Sequence, residues 1–138
     1  MAEPELVKEW LEKAEEDFQF AASVLEDTIF YAQICFHFHQ AAEKLLKAFV
    51  IASDLEFQKI HDLLILLNLC AGVAPELQEI QEHCRFLNRY YIETRYPVHW
   101  PTKYSKEEAL KAKESCEKVR NAIRESLTSA RNTESSSS

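Results

Sequence analysis

The side chains best equipped for chemistry lie in one stretch, NRYYIETRYPVHWPTKY, residues 88–104. Between His83 and Lys106 stand five cations, Arg85, Arg89, Arg95, Lys103 and Lys106, against one acid, Glu93. Tyr90, Tyr91, Tyr96, His99, Trp100 and Tyr104 are interleaved with them. Guanidinium groups grip phosphate or carboxylate oxygens in pairs, and flat aromatic faces stack on bases. The pattern points to an anionic ligand, with Arg85, Arg89, Arg95, Tyr96, His99, Trp100 and Lys103 as the candidate binding set. The chain as a whole has 23 Asp and Glu against 16 Lys and Arg, a net charge of −7. Non-specific affinity for nucleic acid comes from neutralised phosphates, so an acidic chain does not coat it. Contact with a nucleotide or RNA has to be local.

Other potentially reactive residues have plainer readings. His37 and His39 sit two apart, which on a helix points them about 200° apart, so they do not share an ion. His61 stands at the start of a leucine-rich segment, where a loop or capping role is expected. Cys35, Cys70, Cys84 and Cys116 contain no CxxC pair, and most fall on apolar stripes; they read as buried small hydrophobes in a reducing cytoplasm. Neither a metal nor a cofactor is expected.

The elements that must position the basic stretch follow from periodicity. Residues 4–26 place Val7, Trp10, Leu11, Ala14, Phe18, Ala21 and Leu25 at helical spacing, with Pro4 suited to a first turn. Residues 30–52 repeat the pattern through Ile34, Cys35, Phe38, Ala41, Ala42, Leu45 and Phe49, leaving Phe36, Gln40, Glu43 and Lys47 on another face. After a loop at 53–60, a short helix starts near Asp62 as N-cap and stops at Gly72, the single glycine. A fourth helix starts at Pro75 and ends near Arg95, because Pro97 pushes Tyr96 out of helical geometry. The fifth starts at Ser105-Lys-Glu-Glu108, a capping box, and runs to Arg131. No stretch alternates for long enough to suggest a strand. The expectation is an all-α, up-and-down antiparallel bundle of four long helices and one short one, a single domain over 1–131 with a disordered Ser-rich tail at 132–138. No apolar run approaches the roughly 18–20 residues of a membrane span, and the polar N-terminus carries no secretory signal, so the expected location is cytoplasmic.

Four features in this order, Trp10–Lys13–Ala14–Asp17, then FHFHQAAEKLLKAF (36–49), KIHDLLILL (59–67) and YYIETRYP (90–97), resemble the HEPN domain family. The resemblance covers roughly residues 5–127. It implies a bundle that commonly forms a homodimer, and two functional branches. In one, the domain is a non-catalytic companion that binds a nucleotide or substrate for a nucleotidyltransferase, at times within a toxin–antitoxin pair. In the other it is a metal-independent ribonuclease with an Arg, four to six residues, and a His. Arg95-Tyr-Pro-Val-His99 departs from that spacing: three residues intervene, and Pro97 interrupts the helix that would set the geometry. Misplacement by about 1 Å costs on the order of a hundredfold in rate, so the companion branch is the expectation. The alternatives are a ribonuclease using Arg95 and His99, and a dimeric scaffold in which the stretch is structural. Phe36, set off the main stripe, adds to the expectation of a subunit contact.

Overall fold

A computed structural model describes residues 4–57, 59–95 and 104–136, the side chains of 92–95 and 130–136 excepted. Five α-helices make up the described chain: α1 (Pro4–Val24), α2 (Tyr31–Ala52), α3 (Leu63–Val73), α4 (Gln81–Arg95) and α5 (Lys106–Ser136). Short 3-10 helices follow α1 at Leu25–Asp27 and precede α4 at Pro75–Ile80. No strand occurs among the described residues. The expected all-α bundle is what the chain forms.

Its centre is α2, which packs against α1, α3, α4 and α5. A wide apolar surface puts a helix in a core, and α2 adds Leu46, Ala48, Val50 and Ile51 to the stripe of Ile34, Phe38, Ala41, Leu45 and Phe49, all of them buried. The fully buried Ala41, Ala42 and Ala48 let neighbouring backbones approach. α1 supplies Ala14, Phe18 and Ala21 to the same core, and α5 supplies Ala109, Ala112, Cys116, Val119 and Ile123. Where α1 meets α5, Glu15 accepts from Arg120 at 3.2 Å and from Arg124 at 3.1 Å, and the Arg120 guanidinium lies 4.1 Å above the Phe18 ring.

The helix ends show which local signals the chain uses. Asp62 caps α3 as expected, its Oδ1 accepting from the Leu64 and Ile65 amides at 2.9 and 3.2 Å. A second cap comes from α4: Asn88 Oδ1 accepts the Leu63 amide at 2.8 Å, and its Nδ2 donates to Asp62 at 3.2 Å. Three of the amides that a helix start leaves without intrahelical partners are thereby satisfied. Ser105 caps α5 by accepting the Glu108 amide at 3.0 Å, while the Glu108 carboxylate turns to Arg89 at 3.1 Å.

Three local expectations are corrected. Gly72 does not stop α3 in a left-handed conformation; the helix passes through it to Val73 and ends on Ala74, whose amide donates to Cys70. The left-handed residue is Asp54, at φ 56°, just after α2. There the Asp54 amide donates to Ile51 O and the Leu55 amide to Val50 O, both at 3.1 Å, the Schellman pattern with Asp where Gly is usual. Pro75 opens a 3-10 turn rather than an α-helix. Phe36 is half-buried rather than exposed, and its ring meets His37 and His39. Separately, α5 carries helical backbone to Ser136, past the point at which the sequence suggests a tail; no Gly or Pro interrupts it there.

The double cap on α3 yields a stability prediction. Asn88→Ala strands the Leu63 amide in a buried setting and lowers the unfolding free energy by about 1–3 kcal/mol. Asp62→Ala lowers it by about 0.5–2 kcal/mol, and the double variant loses less than the sum because both serve one helix start. Urea denaturation of the three variants measures this; additive losses would mean the caps are independent.

Candidate functional site

The sequence-predicted binding set divides in the structure. Arg85 and Arg89 sit on the α4 face that looks toward α5. Arg85 is ion-paired with Glu82 one turn away and lines a groove of about 380 Å³ with Glu82, His83, Phe86, Lys111, Glu114 and Ser115. Arg89 is 3.1 Å from Glu108, and its guanidinium covers the rings of Phe86 and Tyr90 at 5.2 and 5.3 Å. Lys106 is paired with Glu26 at 2.7 Å. Tyr90 is not a surface ring: it is fully buried, and burial pushes its hydroxyl far up. Arg95 is the last residue of α4, one turn beyond Tyr91. Tyr96, His99, Trp100 and Lys103 lie outside the described residues.

On the other side of α4, Tyr91 enters a constellation that the sequence reading did not assemble. Its ring stacks on His39 of α2 at 5.6 Å between centroids and 15° between planes, and meets His61 at 5.2 Å and 31°. His39 stacks in turn on Phe36 at 6.5 Å and 15°. Four rings from α2, α4 and the loop before α3 thus form one column, Phe36–His39–Tyr91–His61. His61 is its most exposed histidine, with 48% of its side chain open. His39 is fully buried.

Beneath the column lies a buried charge pair. The Glu43 carboxylate accepts from Lys47 Nζ at 2.9 Å, one turn along α2, and both side chains are 6% exposed. His61 Nδ1 stands 3.0 and 3.1 Å from the two Glu43 oxygens. Lys47 is roofed by Trp10 and Phe57, whose centroids lie 6.0 and 5.6 Å from Nζ, and the two rings pack on each other at 5.6 Å. A buried carboxylate is tolerable only when paired and hydrogen-bonded, and here an ammonium and an imidazole do both. A carboxylate can only accept, so the His61 Nδ1 carries a proton, and whenever the ring is neutral its lone pair is on Nε2. This is the arrangement that fixes a histidine for hydrogen bonding or proton transfer at its outer nitrogen.

Burial holds His39 below the ordinary imidazole range, against the opposing pull of the Glu43 charge and hydrogen bonds to Gln40 and to the His61 backbone. Among the described residues, no group of three or more His, Cys, Asp or Glu side chains is placed to hold a metal. His37, as expected, goes its own way, with Nδ1 3.7 Å from Asp17, whose other oxygen receives Lys44 at 2.5 Å. One signal for the constellation stood in the sequence: Glu43 and Lys47 share a face of α2 with the aromatic Phe36.

Two measurements check these energetics. Glu43→Ala leaves Lys47 buried without its counter-charge and costs about 3–5 kcal/mol, whereas replacing both by Leu restores much of the loss; equal losses in the single and double variants would argue against a buried pair. His39 binds its proton more readily unfolded than folded, so its contribution to stability is present above about pH 6.5 and falls as pH drops toward its lowered value. The slope is at most about 1.4 kcal/mol per pH unit for one proton. His39→Phe keeps the stack and removes that slope, as read from the difference between the two urea-derived stability–pH curves from pH 7 to 5; superimposable pH dependences would contradict it.

The HEPN domain family matches residues 7–126 of this chain. The chain is similar to TT1696 from Thermus thermophilus, with a TM-score of 0.72 and 29% identity over 86% of this chain and 96% of that one. It also resembles ST0689, an archaeal HEPN homologue, with a TM-score of 0.70 and 21% identity over 88% of this chain and 97% of that one, a likeness of fold. No curated protein matches. With the family match spanning most of the described helices, from α1 into α5, the chain belongs to the HEPN domain family.

Proposed function

We propose that this protein is a binding rather than a cleaving HEPN domain, a homodimeric companion of a nucleotidyltransferase that holds a nucleotide at the C-terminal end of α4. The observation that carries this reading is the concentration of cations and rings at 83–106 on a chain of net charge −7. The described cations there are already matched: Arg85 to Glu82, Arg89 to Glu108 and Lys106 to Glu26. These pairs are exposed, and such pairs contribute only about 0–1 kcal/mol, so a phosphate can compete for either guanidinium at small cost. Arg95, Tyr96, His99, Trp100 and Lys103 complete the proposed set. The Phe36–His39–Tyr91–His61 column lies on the side of α4 away from Arg85 and Arg89, and its Tyr91 is one turn from the end of that helix. The spacing of Arg95 and His99, with Pro97 between them, favours binding over ribonuclease chemistry.

Calorimetry with AMP, ATP and GTP tests the reading. The wild type is expected to bind at least one, and Arg95→Ala to weaken it about tenfold or more, the worth of a charge-assisted hydrogen bond of roughly 1.5–3 kcal/mol. Absence of heat with all three would remove the proposal. In a parallel RNA cleavage assay the wild type, Arg95→Ala and His99→Ala are expected to stay at background together; cleavage lost in His99→Ala would make the protein an enzyme. Light scattering at tens of micromolar is expected to give twice the chain mass, and a monomer would refute the dimer.

A further inference from the structure

Resting on the nucleotide-binding reading, we propose that His61 is the residue that recognises ribose, its Nε2 accepting a hydrogen bond from a 2′- or 3′-hydroxyl, so that the ligand is a ribonucleotide. The ring is fixed from behind: Nδ1 lies 3.0 and 3.1 Å from the oxygens of a carboxylate that is itself buried and held by Lys47. Glu43 therefore holds a proton on Nδ1, and in the neutral ring the other nitrogen, Nε2, is an acceptor. Among the described residues no hydrogen bond reaches Nε2, on a side chain that is 48% exposed. In the neutral form Nε2 is satisfied by a neutral donor such as a hydroxyl. The neutral donors common to every ribonucleotide, whatever its base, are the ribose hydroxyls. Tyr91, packed on His61 at 5.2 Å and one turn from Arg95, ties this acceptor to the end of α4 where the phosphate-binding residues are proposed.

The test uses the full chain and two ligands, AMP and its 2′,3′-dideoxy analogue, with wild type and His61→Asn. Asparagine places an amide nitrogen where Nδ1 stands, keeping a donor for Glu43 while removing Nε2. The wild type is expected to prefer AMP by about tenfold, the usual worth of one hydrogen bond to a ligand. His61→Asn is expected to bind both nucleotides with the affinity the wild type has for the dideoxy form. A wild type that binds neither overturns this inference, and the reading it rests on falls with it only if ATP and GTP give no heat either. A wild type that binds both equally, or a His61→Asn variant that still discriminates, overturns the ribose assignment alone. Nitrogen-15 spectra of the free wild type at pH 8 provide a readout that needs no ligand: the expected His61 tautomer has its proton on Nδ1, and a proton on Nε2 overturns the proposal.

Discussion

A charged side chain on a buried helix face has no water to turn to, and α2 carries two such side chains, Glu43 and Lys47. Separating either from water costs several kcal/mol. The remaining structure is arranged to offset that cost: Lys47 neutralises Glu43 from one turn away, Trp10 and Phe57 close over the ammonium, and His61 occupies both carboxylate oxygens. Three separate parts of the chain, α1, α2 and the loop before α3, are committed to one another by this single buried carboxylate.

The same commitment links the core to the surface. His61 is at once a partner of a buried charge and the outermost ring of a column that passes through Tyr91 to His39. Its position is therefore set by core packing rather than by the loop that carries it. The neighbouring Asp62 and Asn88, which cap α3, hold that loop from the other side. A side chain fixed on both flanks loses little freedom when a ligand arrives, which is the physical content of a preorganised site. Closing the α3 start with Asp62 and Asn88 also removes the amides that an anion would otherwise seek there.

Much of the fold was legible in the sequence because its signals are local. Pro4, Asp62 and Ser105 each mark an α-helix start that the structure has, and the apolar periods pointed to four long helices and one short one. The signals that misled were those for which tertiary context chooses between uses of the same residue. Gly72 could end a helix or sit within one, and Asp54 took the left-handed position that glycine usually takes. The site was half legible. Charge and aromatic content drew attention to 83–106, but Arg85 and Arg89 face α5 while Tyr91 faces α2. The partners of Tyr91 come from positions 39 and 61, and that proximity is a product of packing that no spacing rule encodes.

The four cysteines lie one each on α2, α3, α4 and α5, and all are buried as free thiols. Burial pushes Cys70 and Cys84 up to about 12, and Cys116 higher still. Thiols so placed do not ionise in the folded chain and are inert to oxidants and alkylating reagents until their helix opens. The bundle therefore carries its own reporters of partial unfolding. The rate at which each sulfur becomes alkylated measures how often that helix leaves the core, so the stability of each layer around α2 can be read without introducing a probe.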